Sequence, residues 1–310
     1  MKNYLFDWLN RIAGRDDGPE TMIDLERNEP DEFEACEAPW AAGGSDCGRV
    51  RVNNEDDFLC DQEKRLFAVA DGMGGHAAGE IASSTVIDDI SQSLTRDLFN
   101  QACEEPGRIR ELLAHALEHA NEAVLTAADN DPNFEGMGST IVVAALCGTH
   151  LHVMNVGDSR VYLCRDHDTL LLTEDHSVAA ELVRQGQLTT EEARVHPLRN
   201  HLTACLGLPK KVEPAFNSVA VTAGDIVLLC SDGLWERVVE SEIERIVRFR
   251  SDPRDAVAAL INAANESGGQ DNITAVVIRI IDEESGMEEV HALAAETESS
   301  ENNDRESKVI

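Results

Sequence analysis

Apolar positions in the central part of the chain recur with the helical period in three places. Over residues 108–128 they lie three or four positions apart, which places them on one face of an amphipathic helix. A second helix is predicted over about 79–95. A third has both end signals, because Asp252 can cap its N-terminus, Pro253 lies in its first turn and Gly268 follows its end.

Shorter continuous apolar runs predict buried strands. The first covers residues 66–70 and ends at Asp71 and Gly72. Further strands are predicted at 140–146, 151–156, 160–164, 226–230 and 273–281. Only short turns separate the three strands between residues 140 and 164, which favours an antiparallel meander. Strand runs interrupted by helix pairs predict an α+β fold, with helices stacked on antiparallel sheets.

Composition and charge divide the chain into three parts. The 310 residues are 42% hydrophobic and 27% charged, which is typical of a soluble globular protein and excludes collagen, disordered and knottin classes. The formal net charge is −33, and both ends of the chain are acidic. We therefore predict an acidic N-terminal arm at 1–42, a single domain at 43–282 and an acidic disordered tail at 283–310.

The same features limit partners and location. An acidic chain repels a phosphate backbone, so no nucleic-acid partner is expected. No stretch approaches the roughly 20 continuous apolar residues of a transmembrane segment. The eight cysteines are scattered without a C-x-x-C pair, which indicates reduced, mostly structural thiols and a cytoplasmic location. Apolar residues between 4 and 12 predict a short docking helix in the arm, with a membrane-surface anchor as the alternative.

Aspartates follow or precede four of the apolar runs. They are Asp71, Asp158, Asp232 and Asp271, each beside a small or turn-forming residue. Strand ends are rigid, so several ends in one sheet system can direct carboxylates at one place, where like charges need a cation. Oxygen ligands suit Mg²⁺, Mn²⁺ or Ca²⁺. The alternative for any single Asp-Gly pair is an ordinary turn after a strand.

The segment 45–56 is polar except for alternating valines. If it forms a strand, Arg51, Asn53 and Glu55 share one face. A guanidinium close to acids and metal ions is suited to hold a phosphate bidentately. The alternative is a surface cross-strand pair between arginine and glutamate.

Eight short motifs occur in one order between about residues 45 and 280. They are Arg51-Val-Asn-Asn-Glu-Asp56, Asp71-Gly-Met-Gly-Gly-His76, Gly138-Ser-Thr140, Asn155-Val-Gly-Asp-Ser-Arg160, Asp175-His176-Ser177, His196-Pro-Leu-Arg-Asn200, Ser231-Asp-Gly-Leu-Trp235 and Gln270-Asp-Asn-Ile-Thr274. In this order they resemble the bacterial metal-dependent serine/threonine protein phosphatases of type 2C, the PPM family. The resemblance identifies 43–282 as a phosphatase catalytic domain. It implies two antiparallel sheets packed face to face with helices outside, a four-layer αββα sandwich.

The resemblance also implies a metal centre for two or three Mn²⁺ or Mg²⁺ ions. Asp71 would bridge two ions, and the carbonyl of Gly72 would bind one of them. Asp232 and Asp271 would complete the shell of the other. Asp158, together with Asp232, matches the position of a third ion in bacterial members.

The implied reaction is an in-line attack on phosphorus by a hydroxide shared between two ions. Arg51 would bind the substrate phosphate, and Glu55 and Asp56 would hold metal-bound waters as outer acids. No phosphoenzyme is needed. Met73 stands where eukaryotic relatives have a histidine, and for His76 we favour a structural role in its loop over that of general acid.

The polar stretch 175–217 resembles the flap beside the active site of bacterial members. Short helices are predicted in it at 178–185 and 191–195. Such loops commonly select the substrate. We interpret His176 and His196 as loop histidines with satisfied hydrogen bonds rather than as catalytic groups.

The sequence therefore predicts a monomeric phosphatase that hydrolyses phosphoserine and phosphothreonine in proteins and opposes bacterial serine/threonine kinases. One alternative is a phosphatase-like binding or sensor module with little activity, which the retained metal acids disfavour. Another is a metal hydrolase of nucleotides or small phosphoesters, which the charge of −33 disfavours.

Overall fold

The computed structural model describes residues 40–74, 78–105, 107–208 and 212–281, together with the backbone of 32–34. The strands are β1 Glu32–Glu34, β2 Ala41–Asp46, β3 Asp56–Asp61, β4 Leu66–Met73, β5 Gly138–Ser139, β6 Ile141–Cys147, β7 His150–Val156, β8 Arg160–Arg165, β9 Asp168–Leu171, β10 Ala215–Ala220, β11 Ile226–Cys230 and β12 Ile273–Arg279. The α-helices are α1 Ala78–Ser93, α2 Arg96–Glu104, α3 Arg108–Asn130, α4 Val178–Arg184, α5 Thr190–Arg194, α6 Asp232–Trp235, α7 Glu240–Phe249 and α8 Pro253–Glu266. A 3₁₀ turn covers Pro132–Phe134.

The strands form two antiparallel sheets. The first has the order β1-β2-β12-β11-β8-β9, and the second has the order β10-β7-β6-β4-β3, with β5 beside β4. The predicted meander is therefore only half right. Strands β6 and β7 form a hairpin in the second sheet, whereas β8 crosses to the first sheet and pairs with β11 and β9.

Three layers of apolar packing hold the sheets and helices together, which confirms the αββα sandwich. Between the sheets, Phe67 and Val142 of the second sheet pack in one cluster with Val227 and Val276 of the first. A second cluster joins the outer face of the second sheet to helices α1 to α3. A third joins the outer face of the first sheet to α7 and α8.

Local sequence signals account for the long helices. Helix α3 buries the apolar positions of its periodic face, including Leu113, Leu117 and Val124. Helix α8 begins as predicted, because the Asp252 carboxylate accepts a hydrogen bond from the amide of Arg254 at 2.8 Å. The predicted helices at 79–95, 178–185 and 191–195 are also present, within two residues at either end.

The boundary predicted between residues 42 and 43 falls inside strand β2. Ala41 and Ala42 are buried and pair with Ile278 and Val277 of β12, and β1 pairs with the other edge of β2. The run Ala-Ala-Gly-Gly carries no strand signature, because its side chains are too small to show an alternating pattern. Residues 1–31, where the sequence predicts a docking helix, residues 35–39 and the tail from residue 282 lie outside the described residues.

Segment 45–56 is not one strand. Strand β2 ends at Asp46, and residues 47–55 form a loop before β3. Gly48 begins this loop with φ +81°, and a side chain there would come within 2.3 Å of the Asp271 carbonyl oxygen. The prediction that Arg51, Asn53 and Glu55 share a strand face is therefore wrong, because a glycine turn ends the extended backbone first.

The expectation of reduced cysteines is wrong for one pair. Cys103 of α2 and Cys147 at the end of β6 form a disulfide across 44 residues of sequence. Their proximity depends on how α2 packs against the second sheet, which residue spacing does not show. Within the described ranges, no helix is both long and apolar enough to cross a membrane.

Candidate active site

Three of the four predicted aspartates lie beside strand ends at the same edge of the first sheet. Cys230, the last residue of β11, lies opposite Arg160 of β8 and Ala275 of β12. Asp158 precedes β8, Asp232 follows β11 and Asp271 precedes β12. Because all three strands are antiparallel neighbours, these residues converge on one edge of the sheet.

The second sheet contributes the remaining carboxylate, Asp71, near the end of β4. Asp71 lies opposite Asp56 in the ladder between β3 and β4. Its backbone is fixed by Thr140: the Thr140 hydroxyl accepts the Asp71 amide at 3.0 Å, and the Thr140 amide donates to the Asp71 carbonyl at 2.9 Å. The sequence analysis identified the Gly138-Ser-Thr140 motif but assigned it no role. In the structure, the motif holds the backbone of Asp71 through these hydrogen bonds.

Burial and mutual repulsion raise the pKa values of Asp71, Asp232 and Asp158. Burial first, and then neighbouring Asp56, Asp232 and Asp158, raise the pKa of Asp71 well above its ordinary value. Burial followed by the charges of Asp158 and Asp271 does the same to the pKa of Asp232. Burial and the charge of nearby Asp175 raise the pKa of Asp158 to about 7. The acids from both sheets therefore act on one another electrostatically, as predicted for a metal centre.

Asp56 is also buried, and its Oδ2 accepts hydrogen bonds from the hydroxyls of Ser231 and Thr274, both at 2.7 Å. The Thr274 hydroxyl lies 2.7 Å from that of Ser45, which accepts from the Asn54 amide at 2.7 Å. Despite these donors, burial raises the pKa of Asp56 to about 7.

Arg51 lies at the rim of this acidic centre. Its Nη2 donates to Oδ2 of Asp271 at 2.8 Å, and about half of its side chain is exposed. The Glu55 carboxylate accepts the amide of Gly79 at the start of α1, and its pKa is raised, chiefly by burial. The structure thus brings Arg51 and Glu55 to the strand-end acids, although they come from a loop.

The donor set fits a hard divalent cation, because it consists of carboxylate oxygens. Among the described residues, no Lys, Arg or His forms an ion pair with Asp71, Asp158 or Asp232. Their charge therefore lacks a protein counter-ion. The carboxylates do not lie at coordinating distances from a common point. Within the part of the chain that is described, no three His, Cys, Asp or Glu side chains form a group that could hold a metal ion as they stand.

One arginine of the site was missed by sequence reasoning. Arg160 donates to both oxygens of Asp175, at 3.0 and 2.6 Å, and its guanidinium carbon lies 3.5 Å from the ring centre of Trp235. The Trp235 indole donates to the carbonyl of Asp158 at 3.0 Å. These contacts connect the start of the flap to the segments that carry Asp158 and Asp232. Both residues lie in the quoted motifs, but only the fold shows what they touch.

A cleft of about 650 Å³ lies between the flap and the body of the domain. Ion pairs join its two sides, from Arg199 to Glu236 at 3.1 Å and from Arg194 to Glu240 at 3.4 Å. The flap histidines use ring nitrogens in local contacts, since Nδ1 of His176 accepts the amide of Gly157 at 3.3 Å and Nδ1 of His196 accepts that of Leu198 at 3.2 Å. His76 lies outside the described residues.

Comparisons with known proteins agree with the fold. Residues 44–277 match the family model described as Protein phosphatase 2C. The serine/threonine phosphatase stp of Listeria monocytogenes is 36% identical over 237 residues, which are 76% of this chain and 93% of that protein. The crystal structure of the serine/threonine phosphatase PstP/Ppp of Mycobacterium tuberculosis superposes with a TM-score of 0.71 at 36% identity, covering 78% of this chain and 98% of that one.

A further solved structure holds metal. It is the catalytic domain of the serine/threonine protein phosphatase PstP in complex with two manganese ions, with a TM-score of 0.68, 36% identity, and coverage of 78% of this chain and 98% of that one. The two-sheet sandwich with acids at its strand ends is thus the architecture of a metal-dependent phosphatase. The chain belongs to the protein phosphatase 2C family.

Proposed function

We propose that this protein hydrolyses phosphoserine and phosphothreonine in other proteins, using Mn²⁺ or Mg²⁺. The observation that carries the proposal is the convergence of Asp71, Asp158, Asp232 and Asp271 from the strand ends of both sheets, beside a half-exposed arginine that pairs with Asp271. Family membership and the manganese-containing PstP structure support it.

Asp71, the Gly72 carbonyl, Asp232 and Asp271 would hold two ions, and Asp158 with Asp232 is the candidate for a third. When bound, the ions supply an acidified water and offset charge on the phosphate. The backbone of Gly79 approaches Gly72 so closely that only glycine fits there: a Cβ on residue 72 would lie 2.0 Å from the carbonyl oxygen of Gly79.

Arg51 is the proposed phosphate ligand. In the structure it pairs with Asp271 at 2.8 Å, and the pKa of Arg51 is raised, chiefly by this hydrogen bond. A phosphate group that carries two charges competes with Asp271 for the guanidinium, and a cation on Asp271 favours the exchange. Glu55 and Asp56, whose pKa values are both raised, are suited to hold or take up protons from water molecules at the centre.

We further propose that the protein is a cytoplasmic monomer that reverses the action of serine/threonine kinases. The acidic surface, with 59 acidic and 26 basic residues, favours phosphosites flanked by Lys or Arg. Equal turnover of peptides with acidic and with basic flanks at low salt would contradict this preference.

The test is phosphate release from a phosphothreonine peptide with added Mn²⁺. Asp232→Asn is expected to reduce kcat/KM by about 100-fold or more, because it removes a charged oxygen from the metal centre. Asp88→Asn, an exposed position on α1, is the matched control and should retain full activity. Undiminished turnover in Asp232→Asn would overturn the metal assignment, and a wild-type protein that binds Mn²⁺ without releasing phosphate would indicate a sensor module.

A further inference from the structure

The loop that carries Arg51 has almost no apolar contact to hold it in place. We refer to residues 47–55 as the Arg51 loop. Its central residues, Arg49 to Asn53, are all exposed, and the side chains of Val50 and Val52 are 64% and 94% exposed. Burial of side chains therefore cannot fix the position of Arg51, and the hydrogen bonds of the loop must do so.

One buried side chain outside the loop binds it at three points. The Asn272 amide nitrogen donates to the carbonyl oxygens of Cys47 at 3.0 Å and Asn53 at 2.9 Å. Its amide oxygen accepts the backbone amide of Glu55 at 2.9 Å. Asn272 is 5% exposed, so these bonds form in a site largely shielded from water.

The three bonds connect the beginning and the end of the loop to the same rigid point. Asn272 immediately precedes β12, which is paired on both sides within the first sheet. Two backbone contacts each secure one end of the loop: the Arg49 amide donates to the carbonyl of Gly269 at 2.7 Å, and the Gly72 amide donates to the carbonyl of Glu55 at 2.9 Å. Asn272 is therefore placed to fix the width of the loop whose middle holds Arg51.

We propose that Asn272 is a positioning residue for phosphate binding, which acts by holding the Arg51 loop. The inference rests on the proposed function, since it takes Arg51 as the phosphate ligand. Bidentate contact with phosphate requires a defined position and orientation of the Arg51 guanidinium. If the loop moves more freely, this position and orientation are no longer fixed. Asparagine is suited to the task because its amide both donates twice and accepts, whereas an ionised aspartate only accepts.

The first test separates phosphate binding from metal binding. For Asn272→Ala and Asn272→Asp, we expect KM for a phosphothreonine peptide and the inhibition constant of inorganic phosphate to rise about tenfold. For Asn272→Ala, which adds no charge, the dissociation constant of Mn²⁺, measured by calorimetry, should change by less than about twofold. Asn217→Ala is the matched control, because Asn217 also donates to a backbone carbonyl, that of Leu172, but on a distant strand.

A double-mutant cycle tests whether the effect passes through Arg51. In an Arg51→Ala background, Asn272→Ala should cause no further loss of phosphate affinity. An equal loss in both backgrounds, or a loss of Mn²⁺ affinity that parallels the loss of phosphate affinity, would overturn the proposal in favour of a general structural effect on Asp271.

A second test does not depend on activity. The thiol of Cys47 donates to the carbonyl of Arg51 at 3.4 Å and accepts from the side-chain amide of Asn272 at 3.9 Å, so alkylation of Cys47 reports on the contacts that close the loop. We expect Asn272→Ala and Asn272→Asp to increase the ratio of Cys47 to Cys60 alkylation several-fold, as measured by mass spectrometry of the full chain. An unchanged ratio in a variant with wild-type thermal stability contradicts the proposal. If the wild-type protein released no phosphate, the proposed function would fail, while this ratio would still decide whether Asn272 holds the loop.

Discussion

Asp56 and Asp71 lie directly opposite each other on neighbouring antiparallel strands, Asp56 buried and Asp71 partly buried. Like charges in this arrangement destabilise a sheet. The protein limits the repulsion with two hydroxyl donors to Asp56 and with raised pKa values, so the metal-free site can retain protons. The Asp56–Asp71 pair thus lowers the stability of the folded protein, and a bound cation would offset this loss. The stability of the protein should therefore depend on pH and on metal binding.

We expect the metal-free protein to lose stability as pH rises from about 4 to about 7. The pKa of Asp56 is about 7 in the folded state and near 3.8 when unfolded, so between these values the folded protein binds more protons than the unfolded chain. The contribution of Asp56 to stability is fully present below its pKa in the unfolded chain, and it is lost as pH rises through its pKa in the folded protein. Urea unfolding in the presence of a chelator measures this slope.

Two further measurements check the cause. Asp56→Asn should reduce the dependence on pH, because the amide does not titrate. Added Mn²⁺ should increase stability most at the higher pH values, where the carboxylates are ionised and bind the cation. A metal-free protein whose stability is constant or rises between pH 4 and 7 would contradict the assignment.

Gly79→Ala should impair catalysis without unfolding the protein. A Cβ at this position would lie 2.6 Å from the carboxyl carbon of Glu55, so the Glu55 side chain would have to move. Alanine in place of glycine near the start of α1 should change the free energy of unfolding by at most about 1 kcal/mol. We expect kcat/KM to fall about tenfold.

The control for this prediction is a double variant. If the effect of Gly79→Ala operates through Glu55, it should be much smaller when Glu55→Gln is already present. Full activity of Gly79→Ala would show that the observed position of the Glu55 carboxylate is not needed.

Arg160→Lys should destabilise the domain far more than Arg254→Lys. Both arginines donate to both carboxylate oxygens of an aspartate, but the Arg160 side chain is 14% exposed and the Arg254 side chain is 50% exposed. Lysine cannot keep the bidentate pair or the contact with Trp235. We expect a loss of about 2–4 kcal/mol for Arg160→Lys and less than about 1 kcal/mol for Arg254→Lys, measured by urea unfolding. Similar losses for the two variants would contradict the assigned role of burial.

The sequence predicted those features that neighbouring residues encode. The apolar period of α3 and the cap and proline of α8 are local signals, because a helix forms its hydrogen bonds within its own segment. The aspartates at strand ends could also be recognised, since apolar runs and the polar residues that end them lie next to each other in the chain.

Tertiary structure decided everything that joins distant segments. A strand satisfies its hydrogen bonds with a partner that its own sequence does not specify, so the separation of β7 and β8 into different sheets could not be predicted. The same reason applies to the disulfide between Cys103 and Cys147 and to the contact between Arg51 and Asp271, 220 residues apart. The sequence determined which chemical groups are available, and strand pairing determined which of them meet, because only the folded sheets bring their ends together.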